Sequence, residues 1–229
     1  MIITTLSTGS SGNCYILSEN GEDLIIDLGI NRKKILSHIN NKLVGVLLSH
    51  RHADHLWKDN DVYFSDYVDI LSPQNTEINE QYTLGHYTIT PLLAHHDVDC
   101  NAYLIETQDT TILFATDTKE LPKVNKIVDI FIVEINYCER KVFGILANVL
   151  DGSSDYFYYH RVLKTHASLE YVTNYFNELP YRPQTIMAIH LSHTKANIDH
   201  KLIQDAIEPM CDELIFADET KRYDFRKRI

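Results

Sequence analysis

Residues 47 to 57, LLSHRHADHLW, place three histidines and an aspartate within six positions, directly after an aliphatic run. Alternate side chains of an extended chain share one side, so His50 and His52 can reach a single cation. Asp54 and His55 follow where the chain would turn into a helix, and can reach a second cation close by. Imidazole nitrogen and carboxylate oxygen suit zinc, or manganese and iron where carboxylate matters more. A polar loop of neighbouring histidines would have the same composition, so a metal site also needs partners elsewhere. They stand at the ends of other apolar runs: His95 and His96 in PLLAHHDV, Asp117 in LFATDT, and His190, then His193, in MAIHLSH. A strand-end histidine alone is more often structural than a ligand, but all of these following the cluster shift the balance toward a metal site. With two oxygens, Asp117 is the natural bridge between two cations.

The elements that must hold these residues follow from patterning. IITTLS, CYILSE and LIIDLG, separated by the turn-forming TGSSGN and NGED, read as a strand meander. NRKKILSHI spaces Ile35 and Ile39 as a helix would, and KLVGVLLSH reads as a strand buried on both faces. Short strands are expected at VYF, VDIL, YTITPLL and AYLIET. The second half adds strands at TILFAT, DIFIVEI, TIMAIHL and ELIFA and helices at SLEYVTNYFNEL and DHKLIQDAI. In the first helix Leu169, Val172, Phe176 and Leu179 form one stripe, and Pro180 stops it. Two sheet-rich halves with helices predict an α/β fold, an αββα sandwich, as one domain over residues 1–229.

Composition sets bounds on partners. The 229 residues carry 32 acidic against 21 basic side chains, a formal net charge of -11, which disfavours extended nucleic acid. Screening lets a local basic patch or a bound metal override that sign. The start, MIITTLSTGSSGNCYIL, has no basic n-region, and no run approaches the roughly 20 apolar residues of a membrane span; a soluble, cytoplasmic protein without membrane contact is expected. Cys14, Cys100, Cys138 and Cys211 lack CxxC spacing and read as reduced core thiols.

The ordered set His50, His52, Asp54, His55, a strand-end histidine, Asp117 in FATDT and His190 in IHLS resembles the metallo-β-lactamase fold superfamily across nearly the whole chain. LIIDLG looks like that superfamily's first motif, with Asp27 bracing the ligand loop. STGSSGNCYIL, EINY and HASLE are similar to its YycJ-type branch and to phage phosphodiesterases that degrade cyclic-nucleotide immune signals, the anti-Pycsar type. The resemblance implies one metal on His50, His52 and His96, another on Asp54, His55 and His190, and Asp117 between them. His96 is taken over His95 because the relatives carry a His-Asp pair, matched by His96 and Asp97. His190 is taken over His193 because HLS follows a strand there; His193 is left substrate-facing or merely exposed.

Two divalent ions, zinc first and manganese as the alternative, would share a hydroxide as nucleophile and neutralise charge on a phosphorane-like transition state. Asp54 would orient that hydroxide. Asp27 and Glu134 would fix ligand tautomers, although an ordinary strand-end salt bridge suits Glu134 equally. The YycJ-like His-x-Ser pattern in KTHASLE assigns His166 to phosphate binding or general-acid work, with Ser168 beside it; Ser168 also fits a helix N-cap. GSSGN lacks the Lys-Ser/Thr ending of a P-loop and reads as a tight turn that brings Asn13 near the metals. DYFYYHR offers Tyr156, Phe157, Tyr158 or Tyr159 for base stacking, or for core or interface packing. The one basic run, KRYDFRKRI, reads as a solvated tail, or as a phosphate grip if it folds over the site.

Carboxylate character in both metal sites resembles the superfamily's phosphodiesterases rather than its lactamases, and no inserted recognition domain or tRNA-gripping arm is present. The expected function is hydrolysis of a phosphodiester in a small nucleotide, first a cyclic mononucleotide, by a homodimer. The alternative is a YycJ-like exonuclease on DNA or RNA. A different class altogether would be a non-catalytic sensor or scaffold stabilised by its metals.

Overall fold

The structure is a computed structural model and describes residues 1–191 and 199–225. β1 (Ile2–Ser7), β2 (Cys14–Glu19), β3 (Glu22–Ile26), β4 (Lys42–Leu47) and β5 (Ile70–Leu71) lie in one sheet. β6 (Tyr82–Leu84), β7 (Tyr87–Ala94), β8 (Cys100–Glu106), β9 (Thr111–Ala115), β10 (Ile130–Glu134), β11 (Thr185–Ile189) and β12 (Glu213–Phe216) form the other, in the order β12-β11-β10-β9-β8-β7-β6. β13 (Lys221–Asp224) returns to the first sheet, giving β13-β1-β2-β3-β4-β5. The helices are α1 (Arg32–Leu36), α2 (Asn60–Ser65), α3 (Glu139–Leu146), α4 (Ser154–Thr165), α5 (Leu169–Asn177) and α6 (His200–Ile207).

Side-chain alternation builds the layers. Tyr15, Leu17, Leu24 and Ile26 of the first sheet meet Tyr87, Tyr103, Phe114, Ile132 and Met187 of the second in one buried cluster. The next residues along the same strands face outward. Ile16 and Ile25 pack with Ile35 of α1 and Phe64 of α2, while Phe131, Val133, Ile186 and Ala188 pack with Leu169, Val172 and Phe176 of α5 and with Ile203 and Ile207 of α6. Strands covered on both faces must be apolar on both, which is why KLVGVLL and DIFIVEI read as continuous apolar runs. The result is the αββα sandwich. Tyr103 also stitches the sheets with its hydroxyl, donating to the Leu48 and Leu71 carbonyls at 2.8 and 3.1 Å.

Four elements differ from the sequence expectation. VYF is helical, within α2: its β-branched and aromatic residues favour strands, but helical turning buries Phe64 under the first sheet while Val62 faces solvent. The basic run is not a tail over Lys221–Asp224, where it forms edge strand β13 against β1; residues 226–229 lie outside the described residues. Helices α3 and α4, at which sequence patterning places none, form a hairpin around a small cluster of Tyr137, Val142, Tyr159 and Val162. Among the described residues no helix is long and apolar enough to cross a membrane.

Strand direction positions the site. β3 and β4 are parallel, as are β9, β10 and β11. β7 is antiparallel to β8, and β8 to β9, so β7 points the same way as β9. The C-terminal ends of β7, β9, β10 and β11 therefore share one rim of their sheet.

Candidate metal centre

Every candidate ligand leaves the end of a strand or the loop after it: His50 after β4, His96 after β7, Asp117 after β9 and His190 after β11. Asp27 (φ 60°), Asp117 (φ 45°) and His190 (φ 50°) turn through the left-handed region that side-chain-bearing residues seldom adopt. Strain of this kind persists only where the surroundings over-determine it, and it clusters at functional sites.

Two ligand groups result. The ring nitrogens of His50, His52 and His96 lie within 4.8 Å of one another, and so do the donor atoms of Asp54, His55 and His190. His50, His55 and Asp117 form a further group that joins the two. Asp117 Oδ2 is 2.7 Å from His55 Nε2 and 3.6 Å from His190 Nε2. His95 is exposed and belongs to no such group among the described residues; its backbone N–H donates to Thr118 Oγ1. His193 lies outside the described residues.

The donor set fits divalent cations. Nε2 of His50 and Nε2 of His190 are buried with no hydrogen-bond partner among the described residues, a condition that costs about 1–3 kcal/mol per group unless something accepts them. Burial, then the nearby His55, holds His50 far below the usual imidazole range, so its ring is neutral and keeps a lone pair. His55 is the opposite case: burial disfavours its charge, but Asp117 and Asp27 outweigh burial and push it up to about 10. Burial likewise opposes charge on His190, which Asp117, Asp54 and Glu134 hold well above its ordinary value. Asp117, despite burial, is kept well below the usual carboxylate range by His190 and His55. Imidazoles around buried carboxylates, two ring nitrogens unpartnered, are the donor chemistry of zinc or manganese.

A ring of braces fixes these ligands. Asp27 Oδ2 lies 2.7 Å from His55 Nδ1, and Oδ1 accepts the Ser49 N–H at 2.8 Å and the Ser49 hydroxyl at 2.9 Å. The same hydroxyl is 3.1 Å from His50 Nδ1. Glu134 is wholly buried: it accepts the Thr118 N–H (2.7 Å) and the Ala167 N–H (3.1 Å) on Oε1, and Oε2 lies 3.0 Å from His166 Nδ1. Glu134, His166 and His190 also cluster with Asp117, but the Glu134 oxygens are already engaged. Asn13 donates through Nδ2 to the Gly9 carbonyl (3.0 Å), lies 2.9 Å from His55 Nε2, and donates its N–H to the Asp54 carbonyl at 2.7 Å. Ser168 caps α5, accepting the Tyr171 N–H, and donates to Glu139 at 2.8 Å, which turns it away from the ligands.

A cleft of about 330 Å³ opens onto the ligands, lined by Asp54, Asp117, His166 and His190 together with Tyr158 and Arg161 of α4. Of the aromatic run, Tyr159 is buried in the α3–α4 cluster, Phe157 is exposed, and Tyr158 reaches the cleft. Ser49, Asn136 and Arg161 are site residues that patterning did not single out. Asn136 places Nδ2 3.2 Å from His190 Nδ1 and donates to the His190 carbonyl.

Gly29 exposes how tightly the ligand loop is seated. Its N–H donates to the Asn13 carbonyl at 3.0 Å, and a Cβ there would sit 1.8 Å from the Asp54 carbonyl oxygen. Gly29→Ala must therefore displace Asp54 and His55, and misplacement of about 1 Å is enough for a loss on the order of 100-fold. The expected variant is folded by circular dichroism, binds fewer divalent ions, and turns over correspondingly more slowly. Wild-type metal content and rate would show that the loop tolerates the shift.

Two stacked mixed sheets, flanking helices and a ligand-bearing rim define the metallo-β-lactamase fold. The chain aligns with the metallo-β-lactamase fold protein YhfI from Bacillus subtilis at a TM-score of 0.67 over 97% of this chain and 98% of that one, with 16% identity. A diphosphatase from the PhnP family aligns at 0.66 over 98% of each chain, with 14% identity. No family model matches the chain. In sequence, 57 residues are 40% identical to the exodeoxyribonuclease WalJ of Streptococcus pneumoniae serotype 2 strain D39. That likeness spans 22% of this chain and 21% of the relative, so it is confined to about a fifth of each protein.

Proposed function

We propose that the protein is a metal-dependent phosphodiesterase acting on a small nucleotide, a cyclic mononucleotide first. The observation that carries this reading is the pair of ligand groups joined by Asp117 at a cleft of mononucleotide scale. His50, His52 and His96 would hold one divalent cation and Asp54, His55 and His190 a second, zinc or alternatively manganese, with Asp117 shared. Cations so placed supply Lewis acidity toward a phosphoryl oxygen and lower the pKa of water at neutral pH.

The chain's own residues do the rest. Asp54 lines the cleft beside the ligands, where its carboxylate orients the attacking water. Burial opposes charge on Asp54, but the neighbouring His190 and His55 imidazoles hold its carboxyl below the usual carboxylate range. His166 is the proton donor to the leaving alkoxide. Burial disfavours its imidazolium, but Glu134, hydrogen-bonded at Nδ1, and then Asp117 raise its pKa, so the ring holds a proton on Nε2 for transfer. Tyr158 offers a face to the base. The cleft volume lies at the small end of the roughly 300–1,000 Å³ typical of small-molecule sites.

A second reading, an exonuclease on DNA or RNA, is favoured by the local likeness to WalJ; the net charge of -11 weighs against a polyanion. The test is to load purified protein with zinc or manganese and incubate it with cyclic mononucleotides, cyclic dinucleotides and short single strands, following products by mass spectrometry. Linear nucleoside monophosphates from the first group are expected. Cutting of strands alone, with binding that falls steeply with salt, would replace this reading by the exonuclease, and no cutting at all by a non-catalytic role.

A further inference from the structure

Arg161 is the one Lys or Arg among the described residues that line the cleft. It lies three residues after Tyr158 on α4, so both project from one helix face. Its Nε donates to Asp97 Oδ2 at 3.0 Å, while Asp97 Oδ1 is 3.2 Å from His96 Nε2 and 3.4 Å from His52 Nε2. A single carboxylate thus separates the guanidinium from the first ligand group. The helix is tied to that group a second time, because the Thr165 carbonyl lies 3.2 Å from His96 Nδ1. Asp97 occupies Nε alone, and neither Nη1 nor Nη2 has a hydrogen bond among the described residues. A planar fork whose two ends are unengaged among the described residues, and whose neck is tied to Asp97, is the geometry that grips two oxygens of a phosphate.

We propose that Arg161 is a substrate-binding residue that takes the non-bridging oxygens of a mononucleotide phosphate, with Asp97 setting the direction of the fork. This rests on the phosphodiesterase reading for its substrate class, and it adds to the cations of that reading a side-chain cation on the α4 wall of the cleft. It also separates a nucleotide from a neutral ester, which would gain nothing from Arg161.

Two measurements test it on the cation-loaded protein. Titration calorimetry with adenosine monophosphate and with adenosine compares wild type, Arg161→Ala and Arg161→Lys, and steady-state kinetics with a cyclic mononucleotide runs alongside. Arg161→Ala should weaken monophosphate binding by about tenfold or more, the loss of a charge-assisted hydrogen bond, and leave adenosine unchanged. Arg161→Lys should recover only part, since an ammonium lacks the fork. In kinetics the Ala variant should show its loss mainly in KM. Equal monophosphate binding by wild type and Arg161→Ala, or none by wild type, overturns the assignment even if the enzyme cuts cyclic nucleotides. Arg161-dependent binding without turnover supports it and sinks the phosphodiesterase reading instead.

Discussion

Asp117→Ala is expected to lower turnover by at least about a thousandfold, roughly 4 kcal/mol of transition-state stabilisation, and to reduce bound divalent ions from about two per chain to one or fewer. The size follows from where its two oxygens sit. Oδ2 is within 2.7 Å of His55 and 3.6 Å of His190, while Oδ1 is 3.3 Å from His166 Nδ1. One buried carboxylate therefore meets the second ligand group and the proposed proton donor, and it clusters with His50 of the first group as well. Asp117→Asn keeps the volume and loses the charge, so it should fold like wild type yet resemble Ala in metal content. Metal analysis by mass spectrometry beside kcat measurement reads both. Two ions per chain and undiminished turnover in Asp117→Ala would remove it from the centre, and a reproducible single ion in wild type would end its bridging role.

The same variant carries a pH signature. His55, held at about 10 against an ordinary 6.5, binds its extra proton more tightly when folded. Its pairing therefore stabilises the fold fully below pH 6.5, and the contribution is lost as pH rises to about 10. Urea unfolding of chelator-treated protein should show the stability gap between wild type and Asp117→Ala narrowing across that window.

How much of this site was legible in the sequence depends on how far each residue acts. His50, His52, Asp54 and His55 announce themselves because four donors in six positions are a local pattern. Asp117 and His190 are single residues, readable only because each ends an apolar run and those runs must be parallel strands sharing a rim. Their left-handed backbones were not readable: glycine would have advertised the turn, whereas Asp and His conceal it. Ser49 and Asn136 touch imidazoles from behind, through contacts made by packing rather than by spacing. Arg161 was hidden for a different reason. The α4 sequence SDYFYYHRVLKT carries no clean apolar stripe, since Tyr159 and Val162 serve the small hairpin core while Phe157 stays exposed. β13 was missed because KRYD is charged, and an edge strand tolerates charge where a central one does not.

Asp27 makes the sharpest contrast with Asp117, because it acts on the centre without facing the cleft. It is fully buried, 2.7 Å behind His55 Nδ1, and also accepts the Ser49 N–H and hydroxyl. Asp27→Ala leaves a buried imidazolium facing no carboxylate on that side, a loss of about 3–5 kcal/mol by the measure of broken buried pairs, and orphans the Ser49 N–H as well. Cation affinity should fall about 10- to 100-fold, the usual consequence of removing the partner of a ligating histidine. Asp27→Asn retains an acceptor for Ser49 and should lose less stability, yet it cannot restore the negative charge behind His55, so its affinity should stay low. Urea midpoints at constant m-value and chelator competition separate the two effects. Since Asp27 lies behind His55 rather than along the cleft wall, KM at saturating cation should match wild type in both variants. A rise in KM of the kind expected for Arg161→Ala would place Asp27 in substrate contact and contradict its assignment as a brace.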